Sequence, residues 1–304
     1  MSLHGILPGI AAFNPEMVAL RHHLHAHPEL AFEEHQTSAL VAEKLTAWGY
    51  EVHRGLAGTG VVGTLRVGNG TRRLGIRADM DALPIAEATG LPYASRHPGK
   101  MHACGHDGHT AIGLCAARYL AEHRDFNGTL HLIFQPAEEN EGGARRMIEE
   151  GLFERFPCDA VFALHNIPGI PLGHIAFRHG AAMASFDRVT ITLTGQSAHG
   201  AFPHMGRDPL PCAASIVLGL QSLITREIDA KHAAVITVGA LQAGEVYNIV
   251  PAQAVLKIGV RAFVEQVRAQ IERRIQEFVR AHVQSYGLQC AIDYRQQYPV
   301  LVNH

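Results

Sequence analysis

From Gly60 to His165 the chain alternates strand-forming and helix-forming runs, which restricts its first half to an α/β layer with a largely parallel sheet. Gly60–Val67 and Arg72–Met80 read as strands and Asp107 to about Arg124 as a helix. Gly128–Gln135 follows as a strand, Gly142–Phe153 as a helix, and Ala160–His165 as a buried strand. Two helices come before these. Asn14-Pro15 carries the N-cap and first-turn proline of one, and the other runs from about Glu33 to Trp48 and stops at Gly49.

The period changes near Ser185. In Phe186–Thr194, Val189, Ile191 and Leu193 share one face and Arg188, Thr190 and Thr192 the other, the alternation of a half-buried strand. A helix at about Pro209–Ile228, strands at Ala233–Leu241 and Ala252–Ala262, a helix from Val264 to about Tyr286 and a strand at Leu288–Tyr294 complete the series. The order β-α-β-β-α-β is the ferredoxin-like unit. The expected organisation is an α/β domain over residues 1–185 and a compact second domain over 186–295, with linkers near Gly180–Ser185 and Arg295–Tyr298.

Composition narrows the class of function. A net charge of -2 gives no reason to expect nucleic acid or an anionic membrane as partner. The five cysteines are odd in number and widely spread, which is no disulfide framework and suits a reducing compartment. No apolar run is long enough for a bilayer, and no basic stretch followed by an apolar core marks a leader, so the expected setting is the cytoplasm. The 21 histidines widen the choice of metal ligands and proton carriers near neutral pH.

The chemistry-bearing residues fall where strands end or helices begin, the position of sites in open α/β sheets. Arg77-Ala78-Asp79-Met80-Asp81 ends one strand, and Cys104 and His106 precede a helix. Gln135-Pro136-Ala137-Glu138-Glu139-Asn140-Glu141 ends another strand, and His165 a third. Cys104-x-His106 is a thiolate–imidazole pair suited to zinc, manganese, cobalt or nickel. His109, one turn further on, is a ligand or a helix-face residue. Adjacent Glu138 and Glu139 point different ways, so one can bind metal while the other takes a proton from water; taken alone, the pair is also a solvated acidic loop. His165 is a ligand or a satisfied core residue. Asp79 and Asp81 can ligate, but Asp at a strand end more often orients a ligand.

In the second half, His199 in Ser197–His204 is a surface-loop residue or a donor to a developing oxyanion, the surface loop being the reading favoured on these residues alone, and Arg261 would suit a carboxylate or a structural salt bridge. A cysteine hydrolase using Cys104 is the rival chemistry. It leaves the glutamate pair and His165 without a role.

Four segments together resemble the M20 metallopeptidase family, in its amidohydrolase branch of hippurate hydrolases and N-acyl-amino-acid deacylases. They are Arg77–Pro84, Met101–Ala111, Gln135–Glu139 with Gly142-Gly143-Ala144, and Ala163–His165. The order and spacing also fit through Gly195–His204, Asn248–Pro251 and Val260–Phe263. The resemblance implies an α/β catalytic domain with an inserted lid domain that also forms a homodimer. It implies two divalent ions held in part by Cys104, His106, Glu139 and His165; Asp79 keeps the ligand-orienting place read from its strand end. It makes Glu138 the general base, His199 an oxyanion donor in a neighbouring subunit's site, and Asn248 and Arg261 the substrate holders. The expected substrate is a small N-acyl amino acid. In the family the chain returns to the catalytic domain and supplies a last metal-binding histidine; residues 296–304 read as the start of that return, and His304 does not match the ligand's context. The alternative reading is a family member that binds ligand or dimerises without turnover.

Overall fold

A computed structural model describes residues 7–139 and 142–304. The leader reading at residues 1–6, and Asn140 and Glu141, lie outside the described residues. The chain divides into two compact units, residues 1–172 and 173–304.

In the first unit, helices α1 (Pro8–Ala26) and α2 (His35–Ala47) precede strands β1 (Glu51–Leu56), β2 (Gly60–Val67) and β3 (Arg73–Asp79). Helix α3 (His106–His123), strand β4 (Gly128–Gln135), short helices α4 (Gly143–Glu149) and α5 (Leu152–Arg155), and strand β5 (Ala160–Ala163) follow. The sheet order is β1-β2-β4-β3-β5. β4 is buried along its whole length and runs parallel to β3, which runs parallel to β5. β1 and β2 join antiparallel at the other side. Successive side chains of β4 serve opposite faces. Leu130, Leu132 and Phe134 meet Val41, Leu45, Val61 and Leu114 in one core, while Ile133 joins Val62, Met147 and Leu152 in another.

Several expectations are corrected here. The first helix begins at Pro8, not at Asn14, because Pro8 also provides a first-turn proline, and Pro15 stands inside the helix. β1 escapes sequence reading because this edge strand carries mostly part-exposed side chains and no clean alternation. The Gly142–Phe153 helix breaks at Gly151, whose φ of 90° interrupts the helical turn. Ala160–His165 is not buried: Val161 is 45% and Phe162 58% exposed. Among the described residues β5 pairs only with β3.

In the second unit, β6 (Gly180–Met183) leads to β7 (Phe186–Thr194), β8 (Ala198–His199), a 3₁₀ turn at Pro203–Met205 and helix α6 (Pro209–Glu227). Then come β9 (Ala234–Ala243), β10 (Ile249–Val250), β11 (Gln253–Ala262), α7 (Glu265–Ser285), β12 (Gln289–Tyr298) and β13 (Leu301–Asn303). The main sheet has the antiparallel order β12-β7-β11-β9. α6 and α7 pack Ile216, Leu220, Ile271, Ile275 and Val279 onto its Val189, Ile191, Leu193 and Leu256. The helices come close because position 219 is glycine; a Cβ there would lie 2.2 Å from Phe278 Cζ. The expected linkers are strands instead: Gly180–Met183 pairs with Leu301–Asn303, and β12 runs on through a bulge to pair Tyr298 with Phe186.

One buried ion pair ties this unit together. Asp187 is fully buried and accepts from Arg268 Nε at 3.0 Å and from Tyr294 Oη at 2.9 Å. Removing one partner strands the other charge. Asp187→Ala should therefore lower the unfolding free energy of this unit by about 3–5 kcal/mol in urea titrations.

Candidate active site

The parallel strands β3, β4 and β5 end on the same side of the sheet, and each delivers chemistry there. β3 ends at Asp79 and leads to Asp81, β4 leads to Glu138 and Glu139, and β5 leads to His165. Cys104 and His106 enter from the start of α3, where Gly105 at φ 92° lets the chain turn into the helix.

Each histidine of the site has its proton placed by a partner. His106 Nδ1 lies 2.9 Å from the Asp81 carbonyl oxygen and 3.1 Å from Asp81 Oδ1, so Nδ1 donates and Nε2 faces inward. His165 Nδ1 donates to the Asn166 carbonyl at 2.8 Å, which leaves its Nε2 3.4 Å from Cys104 Sγ. Asp81 does double duty, because its second oxygen accepts from the Glu139 amide at 3.0 Å.

The turn that separates the two glutamates is held from below. Ala137 adopts φ 52°, and its amide donates to Glu34 Oε1 at 2.8 Å. Glu34 is completely buried; burial raises its pKa, and it also accepts from Thr59 Oγ1 at 2.6 Å. Gly143 donates back to the Ala137 carbonyl at 2.9 Å. A Cβ at 143 would lie 1.8 Å from the Pro136 oxygen, so only glycine closes this turn.

Two atoms reveal what the pocket is for. His106 Nε2 and Glu139 Oε1 are buried without a hydrogen-bond partner, 3.8 Å apart. Leaving such a group unpaired costs about 1–3 kcal/mol, so an imidazole nitrogen and a carboxylate oxygen facing each other call for positive charge between them, a proton or a metal ion. The donor atoms of Cys104, His106 and His165 lie within 4.8 Å of one another, as do those of His106, Glu138 and Glu139. Thiolate, imidazole and carboxylate together fit a borderline divalent ion. A Cys104–His165 pair acting as a cysteine hydrolase would leave both orphan atoms unexplained.

The electrostatics agree. Burial raises the pKa of Glu138, and the Asp79 and Glu139 carboxylates add to this against the opposing pull of His106. Burial alone would lower that of His106. Its bond to Asp81, the nearby Cys104 sulfur and the charge of Asp79 outweigh burial and push it up to about 11. Burial alone would also raise Asp79, but the His109 hydrogen bond and the Arg77 charge hold its carboxyl far below the usual range.

The structure thus brings Cys104, His106, Glu138, Glu139, His165 and Asp79 together in the first unit. His199, Asn248 and Arg261 lie in the second. His199 is exposed, pairs with Ile249, and accepts the Ala201 amide on Nδ1 at 3.1 Å, which leaves the proton on Nε2. The neighbouring Asn248 carbonyl accepts from Gly200 at 2.7 Å. Arg261 is exposed over the Phe186 ring at 4.6 Å, and among the described residues no carboxylate pairs with it. Sequence reading missed Glu34 and Asn166. Neither carries a local signal, since both act on residues distant in the chain.

A carboxylate poised beside a buried, cation-seeking ligand set is the equipment of a metallohydrolase. Comparison with known proteins makes the class specific. The profile of peptidase family M20/M25/M40 matches residues 75–304. The chain is 43% identical over 299 residues to a hippurate hydrolase of Campylobacter jejuni, covering 98% of this chain and 78% of that one. It is 37% identical over 295 residues to an N-acetyl-L-cysteine deacetylase of Bacillus subtilis, covering 97% and 70%. A solved dinuclear metal-binding peptidase of the M20 family from Bacillus subtilis superposes with a TM-score of 0.79 at 34% identity, over 97% of this chain and 77% of that one. The chain belongs to peptidase family M20/M25/M40, and it is an amidohydrolase with a metal-binding site. No helix among the described residues is long and apolar enough to cross a membrane.

Metal uptake should be proton-linked. With its pKa pushed up to about 11, the His106 ring is protonated at neutral pH in the metal-free protein, whereas a ligand needs the neutral ring. Binding therefore releases protons, and apparent affinity should rise about tenfold per pH unit for each proton displaced, up to that value. Titration calorimetry in buffers of different ionisation enthalpy checks this; uptake without proton release would contradict it.

Proposed function

We propose that the protein hydrolyses the amide bond of N-acyl amino acids, with Glu138 as the general base. The observation that carries this reading is the division of labour between adjacent carboxylates. Glu139 presents a buried, unpartnered oxygen towards His106, while the Glu138 side chain is 40% exposed and reaches 3.9 Å from His106 Nε2. Cys104, His106, Glu139 and His165 would hold the divalent ions, two in number, of zinc, manganese, nickel or cobalt. When bound, they polarise the amide carbonyl and acidify water.

The remaining steps belong to this chain's own residues. Glu138 accepts a proton from the attacking water and delivers it to the leaving nitrogen. Its raised pKa suits it to both halves of that transfer. His199, with its proton on Nε2, would donate to the oxyanion in a neighbouring subunit. Arg261, without a carboxylate partner among the described residues, would pair with the substrate carboxylate, and Asn248 would hold it alongside. The homodimer through the second unit finds support in β9, an edge strand with Val235 exposed, and in Leu218 of α6, which is 75% exposed. Sedimentation should then give twice the chain mass, reduced by charged substitutions at Leu218 and Val235.

The test is hydrolysis of a panel of N-acyl amino acids after loading with zinc or manganese, with Glu138→Gln alongside. The expected result is turnover by the wild type, a loss of about 10²–10⁴-fold in kcat for Glu138→Gln, and metal content unchanged in the variant. Bound metal without turnover on any acyl amino acid would contradict the substrate class. No bound metal would contradict the site itself.

A further inference from the structure

By position, His109 belongs with the metal ligands. Its donor nitrogen lies within 4.8 Å of donor atoms of both Asp79 and His106. Its hydrogen bonds give it a different task. A backbone N–H can only donate, and that of Asn166 points at His109 Nε2 from 3.0 Å. Nε2 therefore offers its lone pair, and the ring proton resides on Nδ1, 2.6 Å from Asp79 Oδ1. Both nitrogens are spent on protein partners, and the ring is 2% exposed. Arg77 fixes the other end of this chain of contacts, with Nη1 2.7 Å from Asp79 Oδ2.

Asn166 is the link to the site. It is held by His109 through its N–H, and through its C=O it accepts from His165 Nδ1 at 2.8 Å. That second bond sets which nitrogen His165 turns towards Cys104. The corner at Asn166 is also confined from another side, because a Cβ at Gly105 would lie 2.5 Å from Asn166 Nδ2. The rings of His109 and His165 meet edge to face, with centroids 4.6 Å apart.

We infer that His109 is not a ligand but a positioning residue, a strut whose Nε2 fixes the Asn166 amide and so aims His165 Nε2 at the Cys104 thiol. This rests on the reading of Cys104 and His165 as metal ligands. The strut itself consists of hydrogen bonds present without metal, so the two can fail separately.

The test uses the whole protein in two measurements. Two-bond ¹H–¹⁵N correlation on metal-free, ¹⁵N-histidine-labelled protein reports the ring tautomer, with His109 assigned by its loss in His109→Asn. The expected signal is the Nδ1-protonated form. Cobalt titration of metal-free protein then follows the charge-transfer band of the Cys104 thiolate. His109→Asn keeps a donor for Asp79 but has nothing at the Nε2 position, whereas the His109→Gln carbonyl can still accept from Asn166. The expected loss of cobalt affinity is about 10–100-fold for His109→Asn and under about 3-fold for His109→Gln. An Nε2-protonated His109, or equal losses in the two variants, would overturn the strut. If His109→Asn fails to fold, the wild-type tautomer, assigned by its loss in His109→Gln, still decides. The Nδ1 tautomer without any cobalt band in the wild type would support the strut and remove the metal reading beneath it.

Discussion

Asp81 accepts from His106 Nδ1 with one carboxylate oxygen and from the Glu139 amide with the other. One buried side chain thereby aligns an imidazole and a carboxylate whose free donor atoms face each other. The rest of the site is arranged around that pair. Asp81 can do this because it follows β3, whose neighbours β4 and β5 run parallel to it and end at the same height. Parallel pairing is thus a functional constraint here, since it gathers residues from positions 79 to 165 into one crevice.

The site concentrates acidic groups and leaves buried donor atoms unpaired, which is costly unless a cation is held there. In the metal-free protein the proton on His106 serves that role in part. The same carboxylates that favour this proton would favour a divalent ion in its place. Asp79, at the end of β3, accepts from His109 Nδ1 and lies 3.6 Å from His106 Nε2, so the start of α3 and the strand end share the same charged groups.

Periodicity carries much of this fold. The alternation of strand and helix in the first half, and the β-α-β-β-α-β order in the second, are legible because each element buries one face. Exposure is less legible. Val161 and Phe162 read as core, yet among the described residues no strand covers their outer side, since an apolar run does not say which neighbour packs on it. The site divides the same way. Cys104, His106, Glu138, Glu139 and His165 stand out by type and place. Glu34 does not, because its contact with Ala137 spans 103 positions and a glutamate before a helix looks like a surface residue. The spacing of His109 from His106 is equally that of a ligand or a strut. Only the direction of the Asn166 N–H distinguishes them.

An anomalous-scattering map of crystals grown with zinc or manganese tests the central claim most directly. The expected result is density within bonding distance of Cys104 Sγ, His106 Nε2, Glu139 Oε1 and His165 Nε2, with His109 still bonded to Asp79 and Asn166. Density bound instead by Asp79 and His109, or none in this crevice at saturating metal, would contradict it.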